Sequence, residues 1–123
     1  MPSKFEPCGL NQMYSQRYGT VPIVRSVGGL ADTVEDANPT NLTLGTASGI
    51  HFSELTTDAL LRAVSRALNL FSKPPIWKKI QLTGMSKDFS WMHSARQYEN
   101  LYQLAELDKA EQGTSLLAHY GNR

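Results

Sequence analysis

The sequence has one cysteine, no long apolar run and almost no net charge, and each shortage excludes a class of protein. A single cysteine excludes an internal disulfide and fits a reducing, cytoplasmic compartment. No apolar stretch approaches the roughly 18 residues of a membrane span, and the first residues lack the apolar region of a signal peptide. A net charge of +1 gives no reason to expect nucleic acid or a membrane as a partner.

The histidines and the cysteine also lack the spacing of a metal site or a nucleophilic site. His51, His93 and His119 share no spacing with acidic residues or with one another. Cys8 has no His or Cys partner at ligand spacing, so we predict a packed thiol rather than a nucleophile or a metal ligand. We therefore expect no metal and no cofactor.

Strand and helix patterns alternate along the 123 residues, a length that allows one domain at most. This alternation predicts an α/β fold with a few parallel strands and flanking helices. Residues 1–107 are expected to form this partial domain, and 108–123 a weakly ordered tail. The predicted strands are 20–25 and 49–52. The predicted helices are 9–18, 57–71, 77–85 and one that begins at 90. The segment 35–48 is predicted to be a surface loop.

Two of the helices carry apolar stripes that predict their buried faces. In the 9–18 helix the stripe consists of Leu10, Met13, Tyr14 and Tyr18. In the 57–71 helix, which Thr56 or Thr57 is predicted to cap, the stripe consists of Leu60, Leu61, Val64, Ala67, Leu68 and Phe71. Because part of the sheet is expected to be missing, both apolar faces are expected to be exposed in this chain.

One short stretch combines a carboxylate with a glycine turn. Glu6 stands directly before Pro7-Cys8-Gly9, and a helix starting near Gly9 would direct its free backbone N–H groups to the space beside Glu6. Such groups attract phosphate, because they are unpaired donors at the positive end of the helix dipole. The segment therefore suits a substrate that has a polar sugar and a diphosphate.

A second glycine motif follows the first predicted strand. Gly28 and Gly29 interrupt the apolar pattern and permit close backbone approach to a ligand. Ligands of parallel sheets bind outside the carboxyl ends of the strands. We therefore expect the loops at 4–10 and 26–30 to converge on one site.

The motifs that carry these glycines resemble those of a known family. Met-Pro-Ser-Lys-Phe-Glu-Pro-Cys-Gly-Leu at 1–10, Arg-Tyr-Gly-Thr-Val-Pro at 17–22 and Gly-Gly-Leu-Ala-Asp-Thr-Val at 28–34 closely resemble the C-terminal domain of bacterial glycogen (starch) synthases. The resemblance extends to about Tyr102. It implies a partial doubly wound, Rossmann-like domain of GT-B type, from a retaining glucosyltransferase several times longer than this chain.

The resemblance also implies roles for the site residues. Glu6 would face the donor glucose as the catalytic-site carboxylate, and backbone groups of Cys8, Gly9, Leu10 and Asn11 would bind the donor diphosphate. The chain departs from the family at two positions, because Lys4 stands where Arg is usual and Val27 where Thr is usual. Many other nucleotide-sugar transferases carry a second acidic residue at the position that Tyr14 occupies here. Glycogen synthases, like this chain, lack that acidic residue.

The implied reaction transfers glucose from ADP-glucose to the non-reducing end of an α-1,4-glucan. In the family, the cations that bind the diphosphate and most of the acceptor site lie upstream, in segments that include the N-terminal domain. We therefore expect a fragment that is inactive alone and that self-associates through an exposed sheet edge. The alternative is a non-catalytic half-domain that binds a nucleotide or a protein. An in-frame coding sequence upstream of Met1 would favour the first interpretation.

Overall fold

The computed structural model describes the backbone of residues 1–120 and the side chains of residues 1–107 and 109. The chain divides into one compact unit over 1–87 and a second from Asp88 onward. The elements of the first unit are α1 (Asn11–Arg17), β1 (Ile23–Arg25), α2 (Gly28–Thr33), α3 (Pro39–Leu44), β2 (Ile50–Phe52), α4 (Thr57–Phe71) and α5 (Pro74–Ser86).

The two strands form a parallel sheet in which Val24 lies opposite His51. Met1 lies along the other edge of β1, since its backbone nitrogen donates to the Ile23 carbonyl at 2.7 Å and its carbonyl accepts from Arg25 N–H at 3.0 Å. These two bonds follow the pattern of neighbouring parallel strands. The loop after Met1 therefore leaves the sheet at the same end as the loop after β1.

The outer edge of β2 is closed by an ion pair instead of a strand. The Asp36 carboxylate accepts from His51 N–H at 2.7 Å, and Arg66 donates both to that carboxylate and to the His51 carbonyl, the latter at 3.1 Å. The backbone at Asp36 also forms a parallel bridge with Gly49. Because His51 thereby finds partners for both of its outward backbone groups, β2 does not offer a free edge at this residue.

Helices cover both faces of the sheet, as in doubly wound folds. Val24 packs on one face with Leu30 and Val34, which belong to α2 and its end. Ile50 and Phe52 pack on the other face, where α4 and α5 contribute a second buried cluster. The predicted α/β class with parallel strands and flanking helices is confirmed.

The inward face of α4 matches the predicted stripe only in part, since Ala67 is buried and Leu60 packs against the core. The helix begins after Thr56, whose hydroxyl accepts from Ala59 N–H at 3.2 Å as the capping prediction requires. Its buried residues are Ala59, Ala63, Ala67 and Leu70, whereas Leu61, Leu68 and Phe71 are exposed. Small side chains let the helix lie close to the sheet, and this favours the alanine face over the bulkier one.

The prediction of a surface loop at 35–48 is wrong. This segment contains α3, which Asn38 caps by accepting from Asn41 N–H at 2.9 Å and which Pro39 begins at its first position. Gly45 ends the helix with φ at 78°. Ala37 and Ala47 on either side of α3 belong to the buried core, so the segment is part of the fold.

The second unit contains α6, which runs Trp91–Tyr120 and begins where Ser90 predicted it. Within it, Tyr98 and Tyr102 lie one turn apart with ring centroids 6.5 Å from each other. In the described part of the chain no helix has the length and apolar character to cross a bilayer. The predicted weakly ordered tail, 108–123, lies for the most part outside the residues described in full and stays a prediction.

Candidate functional site

The loop that carries Glu6 lies directly against the loop that follows β1. Gly29 N–H donates to the Glu6 carbonyl at 2.9 Å. A Cβ atom on Gly28 would lie 2.1 Å from that same carbonyl oxygen, and one on Gly29 would lie 2.0 Å from the Cys8 carbonyl oxygen. The two loops that were expected to converge do so, and they touch through their backbones.

This packing changes the interpretation of the double glycine. The atoms that lie against Gly28 and Gly29 are backbone atoms of Glu6 and Cys8 rather than atoms of a ligand. Gly28 also has φ at 46°, in the left-handed region that favours glycine. The glycines are therefore required to seat the Glu6 loop, and their contact with a ligand stays a prediction.

The segment from Cys8 to Asn11 forms a turn and then the start of α1. The helix begins at Asn11 with Leu10 as its uncapped N-cap residue, two residues later than a start at Gly9. Gly9 has φ at 67°, and any side chain there would meet the Gln12 amide oxygen and the Cγ atom of Glu6. Among the described residues, the backbone N–H groups of Gly9, Leu10 and Asn11 have no protein acceptor.

The buried face of α1 is polar, and most of its apolar stripe is exposed. Gln12 and Gln16 are the buried residues of this helix, with 0% and 1% of their surface exposed. Leu10, Tyr14 and Tyr18 are exposed. The inward position of α1 is adjacent to loop backbone that needs hydrogen-bond donors, and glutamine supplies them where an apolar side chain does not.

Gln12 joins the two loops. Its amide nitrogen donates to the Cys8 carbonyl at 2.9 Å, to the Gly9 carbonyl at 3.1 Å and to the Thr33 hydroxyl at 3.0 Å. The Thr33 hydroxyl in turn donates to the Gly29 carbonyl. Sequence reasoning missed both residues; the available signal was a pair of glutamines four apart in a short helix.

Arg25, at the end of β1, anchors the beginning of the same loop. Its guanidinium donates to the carbonyl oxygens of Lys4 at 2.8 Å, of Ser3 at 3.3 Å and of Ser53 at 2.9 Å. Sequence reasoning missed this residue as well. Arg25 and Gln12 therefore hold the Glu6 loop from its two ends, one through carbonyls before Glu6 and one through carbonyls after it.

The carboxylate itself is half-buried and only lightly engaged. Glu6 accepts from the Ser3 hydroxyl at 3.2 Å. The neighbouring Cys8 is exposed, so the prediction of a packed thiol is wrong. A carboxylate with one neutral partner, beside backbone donors that lack acceptors, can face a ligand with a cationic centre and a negatively charged group. The structure thus brings all seven predicted residues into one region: Glu6, Cys8, Gly9, Leu10, Asn11, Gly28 and Gly29.

The shifted pKa values of the first unit belong to other groups. Burial lowers the pKa of His51, against the opposing attraction of Asp36. Burial also lowers the pKa of Lys87, whose ammonium donates to the Thr33 carbonyl at 3.0 Å. A cavity of about 290 Å³ between β2 and α4 is lined by residues such as Arg62 and Arg66 and includes no predicted site residue.

Comparison with known proteins identifies relatives of this region, although no family model matches the chain. Glycogen synthase 1 of Methylococcus capsulatus is 62% identical over 105 residues, which are 85% of this chain and 21% of that protein. Glycogen synthase of Nitrosomonas eutropha is 53% identical over 104 residues, again 85% of this chain and 21% of the relative. The chain thus spans about a fifth of the length of the curated relatives it matches.

A solved structure shows the same similarity in three dimensions. The catalytic domain of starch synthase IV from Arabidopsis thaliana, bound to ADP and acarbose, superimposes with a TM-score of 0.73. It is 42% identical and covers 83% of this chain, while the chain covers 21% of it. The neighbour's fold confirms that the two parallel strands and their helices are part of a GT-B-type domain.

Proposed function

We propose that this chain forms the donor-side part of a retaining glucosyltransferase. It is homologous to a segment that makes up about one fifth of the length of bacterial glycogen synthases. The intact enzyme transfers glucose from ADP-glucose to the non-reducing end of an α-1,4-glucan. ADP in the plant starch synthase supports an adenine nucleotide as the leaving group. The exposed Cys8, the single cysteine, supports a reducing, cytoplasmic compartment.

One observation carries the proposal: the loop of Glu6 is seated on the double glycine with its carboxylate free for a ligand. Among the side chains that the structure describes, Glu6 accepts from one, the Ser3 hydroxyl. In the reaction, the carboxylate positions the donor sugar and stabilises positive charge that develops at its anomeric carbon. The N–H groups of Gly9, Leu10 and Asn11 bind the diphosphate as it leaves, together with cations from the rest of the enzyme.

The chain alone is expected to be inactive. Stabilisation of a leaving diphosphate needs several donors, and the loss of one such donor typically costs about 10²–10³ in rate. In the proposed enzyme the remaining donors and the glucan site are supplied by the rest of the protein, including its N-terminal domain. Addition of the isolated chain to ADP-glucose and glycogen should therefore give no incorporation of labelled glucose.

The test is a graft of residues 1–102 into the Methylococcus capsulatus glycogen synthase, in place of the matching segment. Glu6→Gln should lower kcat for glucose transfer by about 10²-fold or more, since it removes the negative charge and keeps the size. Glu54→Gln is the matched control, because Glu54 is an exposed loop carboxylate that forms an ion pair with the exposed Arg62. Near-parental glucose transfer by the Glu6→Gln graft would contradict the assignment of Glu6 as the catalytic-site carboxylate.

A second candidate function is a non-catalytic half-domain that binds a protein partner. The observation that favours it is the outward apolar stripe of α1, where Leu10, Tyr14 and Tyr18 are exposed. An inactive parental graft, together with an isolated chain that folds as a monomer, would favour this function over the enzyme.

A further inference from the structure

We propose that Gln12 is a positioning residue that sets the direction of the backbone N–H groups of Gly9 and Leu10. The proposal deepens the proposed function and rests on it, since a diphosphate is the ligand these groups would bind. Gln12 does not face the ligand itself, because its side chain is completely buried. It acts through the two peptide groups that its amide nitrogen holds.

The first step of the argument is the geometry of the peptide bond. No peptide bond in the described residues is cis, and in a trans peptide the C=O and N–H bonds point in opposite directions. The Cys8 and Gly9 carbonyls both point inward, to the Gln12 amide nitrogen at 2.9 and 3.1 Å. The N–H groups of Gly9 and Leu10 must then point away from Gln12, and neither has a protein acceptor among the described residues.

The second step concerns which end of the Gln12 amide faces the loop. Carbonyl oxygens only accept hydrogen bonds, so the amide nitrogen has to face Cys8 and Gly9. The amide oxygen is then left buried without a partner. A buried acceptor without a donor opposes folding, so the amide at this position does not serve to satisfy its own polar atoms. The amide at this position serves instead to donate hydrogen bonds to the Cys8 and Gly9 carbonyls.

The third step is the connection to the rest of the site. Gln12 also donates to Thr33, which in turn holds the Gly29 carbonyl. Gly29 N–H binds the Glu6 carbonyl. Loss of the Gln12 amide frees the two peptides that present N–H groups and removes one anchor of the Glu6 loop. The Gly29 bond to the Glu6 carbonyl and the Arg25 anchor remain. We accordingly expect weaker donor binding with a smaller effect on the chemical step.

Gln16 provides a matched control on the same helix. It is also a buried glutamine with an unpartnered amide oxygen, one turn further along α1. Its amide nitrogen donates to the carbonyls of Gln12 and Thr33 and does not touch the Cys8 and Gly9 peptides. Methionine replaces either glutamine at similar length and with good helix propensity, so the two variants remove equivalent packing.

The first measurement follows the backbone amide signals of Gly9 and Leu10 by NMR while pyrophosphate is added to the grafted synthase, prepared with isotopically labelled glycine and leucine. The parental graft and Gln16→Met should show saturable shifts of these two signals. Gln12→Met should bind pyrophosphate about tenfold more weakly, because the donors are no longer held in one direction. Absence of a response at Gly9 and Leu10 in the parental graft overturns the proposal, as does an equal loss of affinity in both variants.

The second measurement uses the grafted synthase. Gln12→Met should raise KM for ADP-glucose about tenfold and leave KM for glycogen unchanged, and Gln16→Met should leave both near parental values. A Gln12→Met graft with parental KM for ADP-glucose contradicts the positioning role, even where glucose transfer itself confirms the proposed function. An inactive parental graft would instead contradict the proposed function, and the NMR result would still decide on the N–H groups.

Discussion

Replacement of Gly29 by alanine is expected to displace the Glu6 loop, and the size of the effect follows from the structure. A Cβ atom at this position would lie 2.0 Å from the Cys8 carbonyl oxygen and 2.6 Å from the Cys8 Cα atom. Both contacts are with backbone, which cannot rotate aside as the end of a flexible side chain can. To reach ordinary contact at 3.4 Å or more, the loop has to move away from α2.

This movement has two opposing energetic consequences. Alanine is favoured over glycine inside a helix by about 1 kcal/mol. Overpacking typically costs about 1–3 kcal/mol, and loss of the Gly29 N–H to Glu6 carbonyl bond costs about 0.5–1.5 kcal/mol. The net destabilisation is therefore modest, on the order of 1–3 kcal/mol. Activity should suffer more, because a misplacement of about 1 Å at a catalytic group can cost 10²-fold in rate.

The assay is kcat/KM for glucose transfer by the grafted synthase, measured well below its melting temperature. Gly84→Ala is the control, because Gly84 is another buried helical glycine. The three heavy atoms nearest to its added Cβ all belong to Gln16, with side-chain atoms at 3.3 and 3.4 Å and the backbone Cα at 3.7 Å. We expect a loss of about 10²-fold for Gly29→Ala and less than about threefold for Gly84→Ala. Equal activity in the two variants would refute the claim that close backbone contact seats the Glu6 loop.

Two further predictions concern the chain by itself. Among the described residues, Met1 alone pairs with the outer edge of β1, so this edge should make the isolated chain associate or pack loosely. A monomer by sedimentation, with sharp near-ultraviolet circular dichroism and cooperative melting, would contradict this prediction. The free energy of unfolding should fall as the pH drops through about 6.5, the ordinary pKa of histidine, because burial lowers the pKa of His51 and the unfolded chain takes up the proton more readily. Chemical denaturation at several pH values should show a smaller fall for His51→Gln, and identical profiles would count against this origin.

The local features of the fold could be predicted because their causes lie within a few residues. Thr56 caps α4 through its own hydroxyl, and Gly19, with φ at 73°, ends α1. The apolar β-branched residues around Val24 form a strand in a parallel sheet. The run around Glu6 likewise indicated the position and the residues of the candidate site, since a motif of contiguous residues needs no knowledge of the rest of the fold.

The segment at 35–48 shows where a local signal was present but was interpreted in another way. Asn38 followed by Pro39 is typical both of a turn and of the start of a helix. The structure has a helix there because Ala37 and Ala47 are buried on either side of it. Whether two small residues in a polar segment are buried depends on the elements that pack against them, and these cannot be read from the segment itself.

The sequence by itself determined the class of fold, most helix and strand positions and the residues of the Glu6 motif. Only the tertiary structure decided which faces of α1 and α4 are buried. Leu10, Tyr14 and Tyr18 of α1 and Leu61, Leu68 and Phe71 of α4 are exposed. Gln12, Gln16 and the alanines of α4 lie inside. The physical reason is that a buried position is defined by what lies opposite it: loop carbonyls next to α1 require donors, and the close approach of the sheet to α4 requires small side chains.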